Sequence, residues 1–299
     1  MSVEAEIRRR IGQQGAITFA EFMELALFWP GGGYYLAGDP IGASGDYYTS
    51  PRAHPVFGTL LAVQLVQMWQ LLGRPDPFTL VELGAGNGLL CRDILACSDD
   101  LPPGFAGSLR YICLDRRPAW GVERDIFGDR LAVGTCRLAS AGLPFRGLVG
   151  CFLSNEFLDA LPVHQVTMGR NGLREVYVTL KDEALETRLY ELSTPALAAR
   201  LEALEIELAE GQTAEISLGL NGWAEEVAAS LEAGFVLTID YGHAAPELYS
   251  PERRYRGTLT TFYRHVQIDA PLRHIGHQDI TAQVDFTTVV NAGRRGGLE

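Results

Sequence analysis

A glycine-rich segment, Val81 to Gly88, follows a short apolar run and precedes a helical pattern. Gly84, Gly86 and Gly88 allow a backbone to turn tightly and to approach a ligand, because they carry no Cβ. The dinucleotide fingerprint G-x-G-x-x-G would need a glycine at position 89, which is leucine. The chain also has no G-x-x-x-x-G-K-[ST] motif for cradling a nucleoside triphosphate. The spacing therefore predicts a ligand-binding turn and disfavours NAD, FAD and ATP.

Acidic side chains stand where the next predicted strands end. Asp115 follows the apolar run Tyr111 to Leu114, where a carboxylate could accept hydrogen bonds from a ribose. The alternative interpretation is an ordinary acid at a strand end or a helix N-cap. Asp240 ends a later apolar run, Phe235 to Ile239. Because the carboxyl ends of parallel strands meet at one edge of the sheet, these acids are expected to share a crevice.

The strand predicted over 147–153 is followed by Asn155, Glu156 and Asp159. Two carboxylates and an amide at the end of a buried strand are costly unless they bind something. Such groups can orient an amine nucleophile, neutralise a guanidinium or accept a proton. For Asp159 alone, helix capping is an equally open interpretation. The segment is therefore a candidate catalytic site for a reaction at a nitrogen nucleophile.

The elements around these residues follow an α/β alternation, which predicts a mostly parallel, Rossmann-like sheet covered on both faces. Strands are predicted at 78–83, 109–114, 131–133, 147–153 and 235–239, and the last is preceded by a helix capped near Asn221. The segment 3–27 is predicted to be helical, with Thr18 and Glu21 forming a capping box, and a second helix should cover 56–72. The predicted division is an N-terminal helical extension with a cofactor-covering loop (1–75), the cofactor-binding core (76–162 and 219–299), and an α+β insertion of a hairpin plus a helix (163–218) on the substrate side.

Composition narrows the function classes. The 299 residues are 47% hydrophobic and 21% charged, which is typical of a folded globular protein. The net charge of −12 disfavours nucleic acid and anionic membrane surfaces as partners. It is compatible with a cationic client protein, and the alternative is that it only keeps the protein soluble. The five cysteines form no zinc spacing, so no metal is expected. Without an export signal or a stretch of about 20 apolar residues, the expected location is the cytoplasm.

Together with its position between a strand and a helix, the pattern E-x-G-x-G-x-G resembles that of class I methyltransferases that use S-adenosylmethionine (SAM). More widely, the chain resembles the MidA family, which includes a mitochondrial complex I assembly factor that methylates a protein arginine. The segments that carry this resemblance are 33–35, 45–51, 56–58, 82–88, 155–164, 239–242, 279–282 and 284–286.

The resemblance implies roles for particular residues. The cofactor SAM would be bound by Asp46, Thr49, Ser50, Glu82, Gly84, Gly86, Asn87, Gly88, Asp115 and Asn155. The loop from Gly45 to Ser50 would fold over it. Asn155, Glu156 and Asp159 would face the acceptor as catalytic residues, and Asp279 and Thr281 would help to close the site.

The expected function is methyl transfer from SAM to a nitrogen, such as that of a protein arginine, or to an oxygen. Three departures from the family pattern, Arg52, Thr59 and Gln283, leave two alternatives open. One is a catalytically weak SAM-binding assembly factor, and the other is a methyltransferase acting on a small molecule. The chain also stops soon after Phe286, so one sheet edge would need a cover. A partner chain, such as a second copy in a homodimer, is expected there.

Overall fold

The computed structural model describes residues 1–37, 54–97, 101–117 and 135–299. The predicted cofactor residues Asp46, Thr49 and Ser50 lie outside the described residues, and so does the strand predicted at 131–133. Elements are numbered in chain order among the described residues. The helices are α1 (Val3–Gln14), α2 (Phe19–Phe28), α3 (Tyr34–Ala37), α4 (Val56–Leu71), α5 (Leu89–Ala96), α6 (Phe105–Ser108), α7 (Ala196–Ala203), α8 (Gly219–Ser230), α9 (Ala245–Leu248), α10 (Pro251–Arg254) and α11 (Phe286–Arg295).

A five-stranded parallel sheet forms the centre of the molecule, in the order β10-β5-β2-β3-β4. Its strands are β2 (Phe78–Leu83), β3 (Leu109–Asp115), β4 (Thr135–Ala139), β5 (Leu148–Asn155) and β10 (Leu231–Ile239). Leu83 pairs with Leu114 on one side and with Ser154 on the other, while Ile239 pairs with Asn155. The carboxyl ends of four strands therefore meet at one edge, as the predicted α/β class requires.

Helices cover both faces of this sheet, because alternate residues of its strands are apolar on both sides. Leu80 packs with Leu65 and Trp69 of α4 on one face. The next residue, Val81, packs with Val227 of α8 on the opposite face. Helix α8 begins at Gly219, so Asn221 lies in its first turn and is not the N-cap that the sequence predicted.

The region 163–218 contains more strands than the predicted hairpin and helix. Strands β6 (His164–Gly169) and β7 (Gly172–Lys181) form that hairpin, and β8 (Ala184–Tyr190) and β9 (Thr213–Ile216) extend it into an antiparallel sheet. The mostly exposed β8 has little hydrophobic alternation, which explains why its pattern was missed. The two-residue strand β1 (Ile17–Thr18) of the N-terminal region also pairs with β7. The division into domains stays a prediction.

The N-terminal segment is two helices separated by a break, and not one continuous helical stretch. Gly15 ends α1 in a positive φ conformation of 83°. Thr18 caps α2 by accepting a hydrogen bond from the Glu21 backbone at 3.1 Å. The Glu21 carboxylate instead accepts from Arg10 at 2.7 Å, so only half of the predicted capping box forms. This break lets α2 and α3 reach the carboxyl edge of the central sheet.

Small elements after β10 complete the described fold. Strand β11 (Gly242–His243) pairs in parallel with β15 (Val284–Asp285), and β12 (Thr260–Tyr263) lies between β13 (Val266–Ile268) and β14 (Asp279–Thr281). Helix α11 then packs on α8. Within the described part of the chain, β10 has a strand neighbour on one side only, at β5.

Candidate active site

The predicted glycine turn joins β2 to α5. Gly84, Gly86 and Gly88 have φ values of 65°, 54° and 79°, which side chains with a Cβ rarely adopt. A Cβ on Gly84 would also lie 2.7 Å from the Phe157 ring. Glycine is therefore required at this position on two grounds, and its missing side chain makes room for the Phe157 ring.

Asp115 lies at the end of β3 and fixes the glycine turn. One carboxylate oxygen accepts from the Gly86 backbone N–H at 3.0 Å, and the other accepts from the Arg117 N–H at 2.9 Å. Each carboxylate oxygen has a second lone-pair direction available for a ligand hydroxyl. The backbone contacts place this carboxylate next to the turn, where the ribose role predicted for it would require it.

The end of β5 presents Asn155 and Glu156. Glu156 has a φ of 49°, and its backbone N–H donates to the Ile239 carbonyl of β10 at 2.9 Å. The Asn155 amide nitrogen lies 3.5 Å from the Glu156 carboxylate. The Asn155 Oδ1 atom is buried without a hydrogen-bond partner among the described residues. A buried acceptor of this kind is costly unless a ligand supplies a donor.

These strand ends surround a cavity of about 410 Å³. That volume lies within the range of about 300–1,000 Å³ for small-molecule and cofactor sites. Of the predicted cofactor-binding and catalytic residues within the described ranges, five line it: Gly84, Gly86, Asp115, Asn155 and Glu156. Four do not: Glu82, Asn87, Gly88 and Asp159.

Glu82 lies beneath the glycine turn and is 5% exposed. Its carboxylate accepts a hydrogen bond from the equally buried Tyr111 hydroxyl at 2.8 Å. Burial raises the pKa of Glu82 to about 8, although the Tyr111 hydrogen bond and the charge of Arg137 oppose this rise. The Glu82 side chain does not line the cavity where a direct cofactor contact was predicted, because it is directed to Tyr111.

Asn87 and Gly88 also act on the backbone of the turn. The Asn87 side chain accepts a hydrogen bond from the Leu89 N–H at 3.2 Å at the start of α5. Gly88 is the N-cap of that helix. Both residues shape the turn, whereas the cavity wall itself is made by Gly84 and Gly86.

Asp159 belongs to an acidic cluster behind the cavity, formed with the buried Asp279 and the half-buried Asp240. Burial, together with the negative charges of Asp240, Asp279 and Glu156, raises the pKa of Asp159 well above its ordinary value. Asp240 accepts backbone hydrogen bonds from Phe157 at 3.0 Å and from Leu158 at 2.8 Å. Asp159 therefore does not face the acceptor side of the cavity as predicted, because the following turn buries it among the other acids.

Several cavity residues were not predicted from the sequence. Phe28 of α2 and Tyr35 of α3 form one wall, and Trp223 and Glu226 of α8 contribute to another. Tyr35 belongs to a motif that carries the family resemblance, but no role follows from it. Only the periodicity of α8, which puts positions 219, 222, 223 and 226 on one helix face, could have indicated the second wall.

The residues present fit SAM. Gly84 and Gly86 line the cavity with backbone alone, Asp115 offers carboxylate oxygens to a ribose, and Asn155 Oδ1 is a buried acceptor without a partner among the described residues. A family model described as "Putative S-adenosyl-L-methionine-dependent methyltransferase" matches residues 60–299.

The chain belongs to this family. It is 30% identical over 310 residues to a relative from Danio rerio named protein arginine methyltransferase NDUFAF7, mitochondrial. That match covers 96% of this chain and 70% of the relative. A homologue from Drosophila melanogaster is 29% identical, with 96% and 69% covered. A protein from Burkholderia thailandensis, described as a "likely methyl transferase" and solved with bound S-adenosyl-homocysteine, superposes with a TM-score of 0.87 at 30% identity. The superposition covers 99% of this chain and 76% of that one.

These similarities confirm the predicted MidA-type membership, the methyltransferase class and SAM as the cofactor. The Gln283 departure lies away from the cavity, where its side chain accepts from Arg254 at 3.1 Å. The predicted cytoplasmic location is wrong, since the curated relatives are named as mitochondrial proteins. Among the described residues, no helix is long and apolar enough to cross a membrane.

Proposed function

We propose that this enzyme methylates an arginine guanidinium of a protein client. The observation that carries the proposal is the concentration of acids at the carboxyl ends of β5 and β10. Glu156 lines the cavity, and Asp159, Asp240 and Asp279 lie behind it. A guanidinium brings the positive charge and the N–H donors that such a cluster favours.

The cofactor side of the cavity has its own assignments. Gly84 and Gly86 would approach the cofactor through their backbone, Asp115 would accept from its ribose, and Asn155 Oδ1 would accept one of its donors. Bound SAM supplies an electrophilic methyl group. Asp46, Thr49 and Ser50 stay predicted cofactor contacts.

The protein contributes positioning and charge. A guanidinium loses one proton when its nitrogen gains a methyl group, and the product keeps its positive charge. Glu156 is the acid placed to hold that nitrogen and to accept the proton. Since the raised pKa of Asp159 favours its neutral form, the cluster avoids a repulsive excess of buried negative charge. Alignment of the acceptor nitrogen with the methyl group, in a site that excludes water, supplies most of the rate acceleration.

The names of the relatives support this proposal, since the proteins from Danio rerio and Drosophila melanogaster are called protein arginine methyltransferases. The net charge of −12 is compatible with a basic client. The acceptor proposed here is therefore a protein arginine, and the homodimer stays a prediction.

The test is methyl transfer from deuterium-labelled SAM to matched peptides that carry arginine or lysine at one central position. Peptide mass spectrometry locates the label, and the Gly84→Val variant controls for contaminating activity. Label on arginine is expected. Label only on lysine, on an oxygen or on a co-purified small molecule would contradict the proposal. Capture of a protein client without label would favour the assembly-factor alternative.

A further inference from the structure

Two aromatic side chains from the N-terminal region form a wall of the cavity. The rings of Phe28 and Tyr35 are stacked, with centroids 5.5 Å apart and planes 21° apart. The guanidinium of Arg116 lies 4.2 Å from the centroid of the Phe28 ring and pairs with Glu24 at 2.9 Å. The Phe28 ring of this wall thus already contacts one guanidinium, and aromatic faces attract such cations.

The Tyr35 hydroxyl has a defined orientation. It donates to the Asp279 Oδ1 atom at 2.7 Å, and Asp279 is 1% exposed. The same Oδ1 accepts the backbone N–H of Ile280 at 2.9 Å. Because an oxygen that accepts two donors is not itself the donor, the single hydroxyl proton of Tyr35 is directed to Asp279. The Tyr35 oxygen can then only accept hydrogen bonds from a ligand.

A second hydrogen-bond acceptor lines the same cavity as Tyr35. Glu156 provides a carboxylate. The Tyr35 oxygen and the Glu156 carboxylate favour a ligand that brings N–H donors. They disfavour a ligand that brings a carbonyl oxygen, because two acceptors would then face each other without a hydrogen bond.

We propose that Tyr35 is the residue that makes this enzyme specific for a guanidinium. Its ring stacks on the plane of the acceptor group, and its oxygen accepts an N–H, while Asp279 holds the hydroxyl proton away. This inference rests on the proposed arginine methylation and adds the residue that selects the acceptor. Tyr35 rejects a urea side chain of the same shape, such as that of citrulline.

The experiment measures peptide binding to the full chain saturated with S-adenosyl-homocysteine, so that no transfer is needed. The probes are two pentapeptides that differ only in a central arginine or citrulline. Calorimetry compares the wild type with Tyr35→Phe and with the control Tyr34→Phe. Tyr34 is the adjacent buried tyrosine, with its ring edge-on to Tyr35 at 5.1 Å, and it does not line the cavity.

The expected result is an affinity for the arginine peptide that falls about tenfold in Tyr35→Phe, with a matching loss of preference over citrulline. The affinity for S-adenosyl-homocysteine should stay within about twofold of the wild type, and Tyr34→Phe should change neither property. Unchanged arginine preference in Tyr35→Phe would overturn the role of Tyr35 and leave arginine methylation standing. A tenfold loss of S-adenosyl-homocysteine affinity would assign Tyr35 to the cofactor instead. A wild-type complex that does not prefer arginine would reject both proposals.

Discussion

The two sides of the cavity are built from the chain in different ways. On the cofactor side, Gly86 and Asp115 are joined by a hydrogen bond across 29 positions of sequence, between neighbouring strands. On the acceptor side, Tyr35 and Asp279 are joined across 244 positions. A cofactor shared by many enzymes can be bound by one local strand-turn-helix unit, whereas the acceptor wall needs the N-terminal helices and the elements after β10 in place. Changes on the two sides should therefore separate cofactor binding from acceptor use.

The largest effect is expected for Gly84→Val. A β-branched residue at a φ of 65° is strained, and its Cβ would lie 2.7 Å from the Phe157 ring. Affinity for S-adenosyl-homocysteine should fall more than about 100-fold by calorimetry, or about 2.7 kcal/mol. The control Gly107→Ala, where no atom lies within 4 Å of an added Cβ, should bind normally. Wild-type affinity in a folded Gly84→Val protein would remove the turn from the cofactor site.

The second prediction concerns a variant that should impair only the acceptor side of the cavity. Glu156→Gln removes the carboxylate that lines the cavity but keeps the shape of the side chain. The kcat/KM for an arginine peptide should fall about 50-fold, because a desolvated guanidinium loses its charged partner. Affinity for S-adenosyl-homocysteine should remain within about twofold of the wild type. The exposed Glu202→Gln on α7 is the matched control. Equal losses in cofactor affinity and kcat/KM would show that the two sides are not separable here.

The same contrast explains what the sequence could predict. Periodicity and glycine spacing locate the parallel strands, the turn and Asp115, because each depends on neighbours along the chain or on the next strand. They also place Asn155 and Glu156 at the cavity. The roles of Phe28 and Tyr35 depend on the break at Gly15 and on how α2 and α3 dock at the sheet edge. No local pattern contains that information.

Burial is the second property that the sequence left open. Glu82 and Asp159 stand within motifs whose other members line the cavity, so both were predicted as site residues. In the structure, the side chain of Glu82 contacts Tyr111, and that of Asp159 is enclosed with other acids. A motif identifies the segment, but the side to which each residue points is decided by packing around it.

A smaller effect on the cofactor side is expected for Asp115→Asn. The amide can keep one backbone contact, with the N–H of Gly86 or of Arg117, but its NH₂ group faces a donor at the other. It also loses the charge that strengthens hydrogen bonds to a ribose. Affinity for SAM and for S-adenosyl-homocysteine should fall together by about tenfold, or about 1.4 kcal/mol. The exposed Asp269→Asn should bind both normally. A loss confined to the kcat for the acceptor would place Asp115 on the other side of the cavity.

The smallest effect on ligand binding, under about twofold, is expected for Glu82→Gln, since this side chain does not line the cavity. The expected effect of this variant is on the free energy of unfolding. The folded pKa of about 8 exceeds the ordinary value of 4.5, so Glu82 contributes stability below about pH 4.5 that is lost as the pH rises toward 8. A glutamine at this position stays neutral, so the variant should not lose this stability. The loss in the wild type is up to about 1.4 kcal/mol per pH unit in that window. Denaturant unfolding of wild type and variant at several pH values should show the two free energies diverging with rising pH. Parallel curves, combined with a tenfold loss of SAM affinity, would restore Glu82 as a direct cofactor contact.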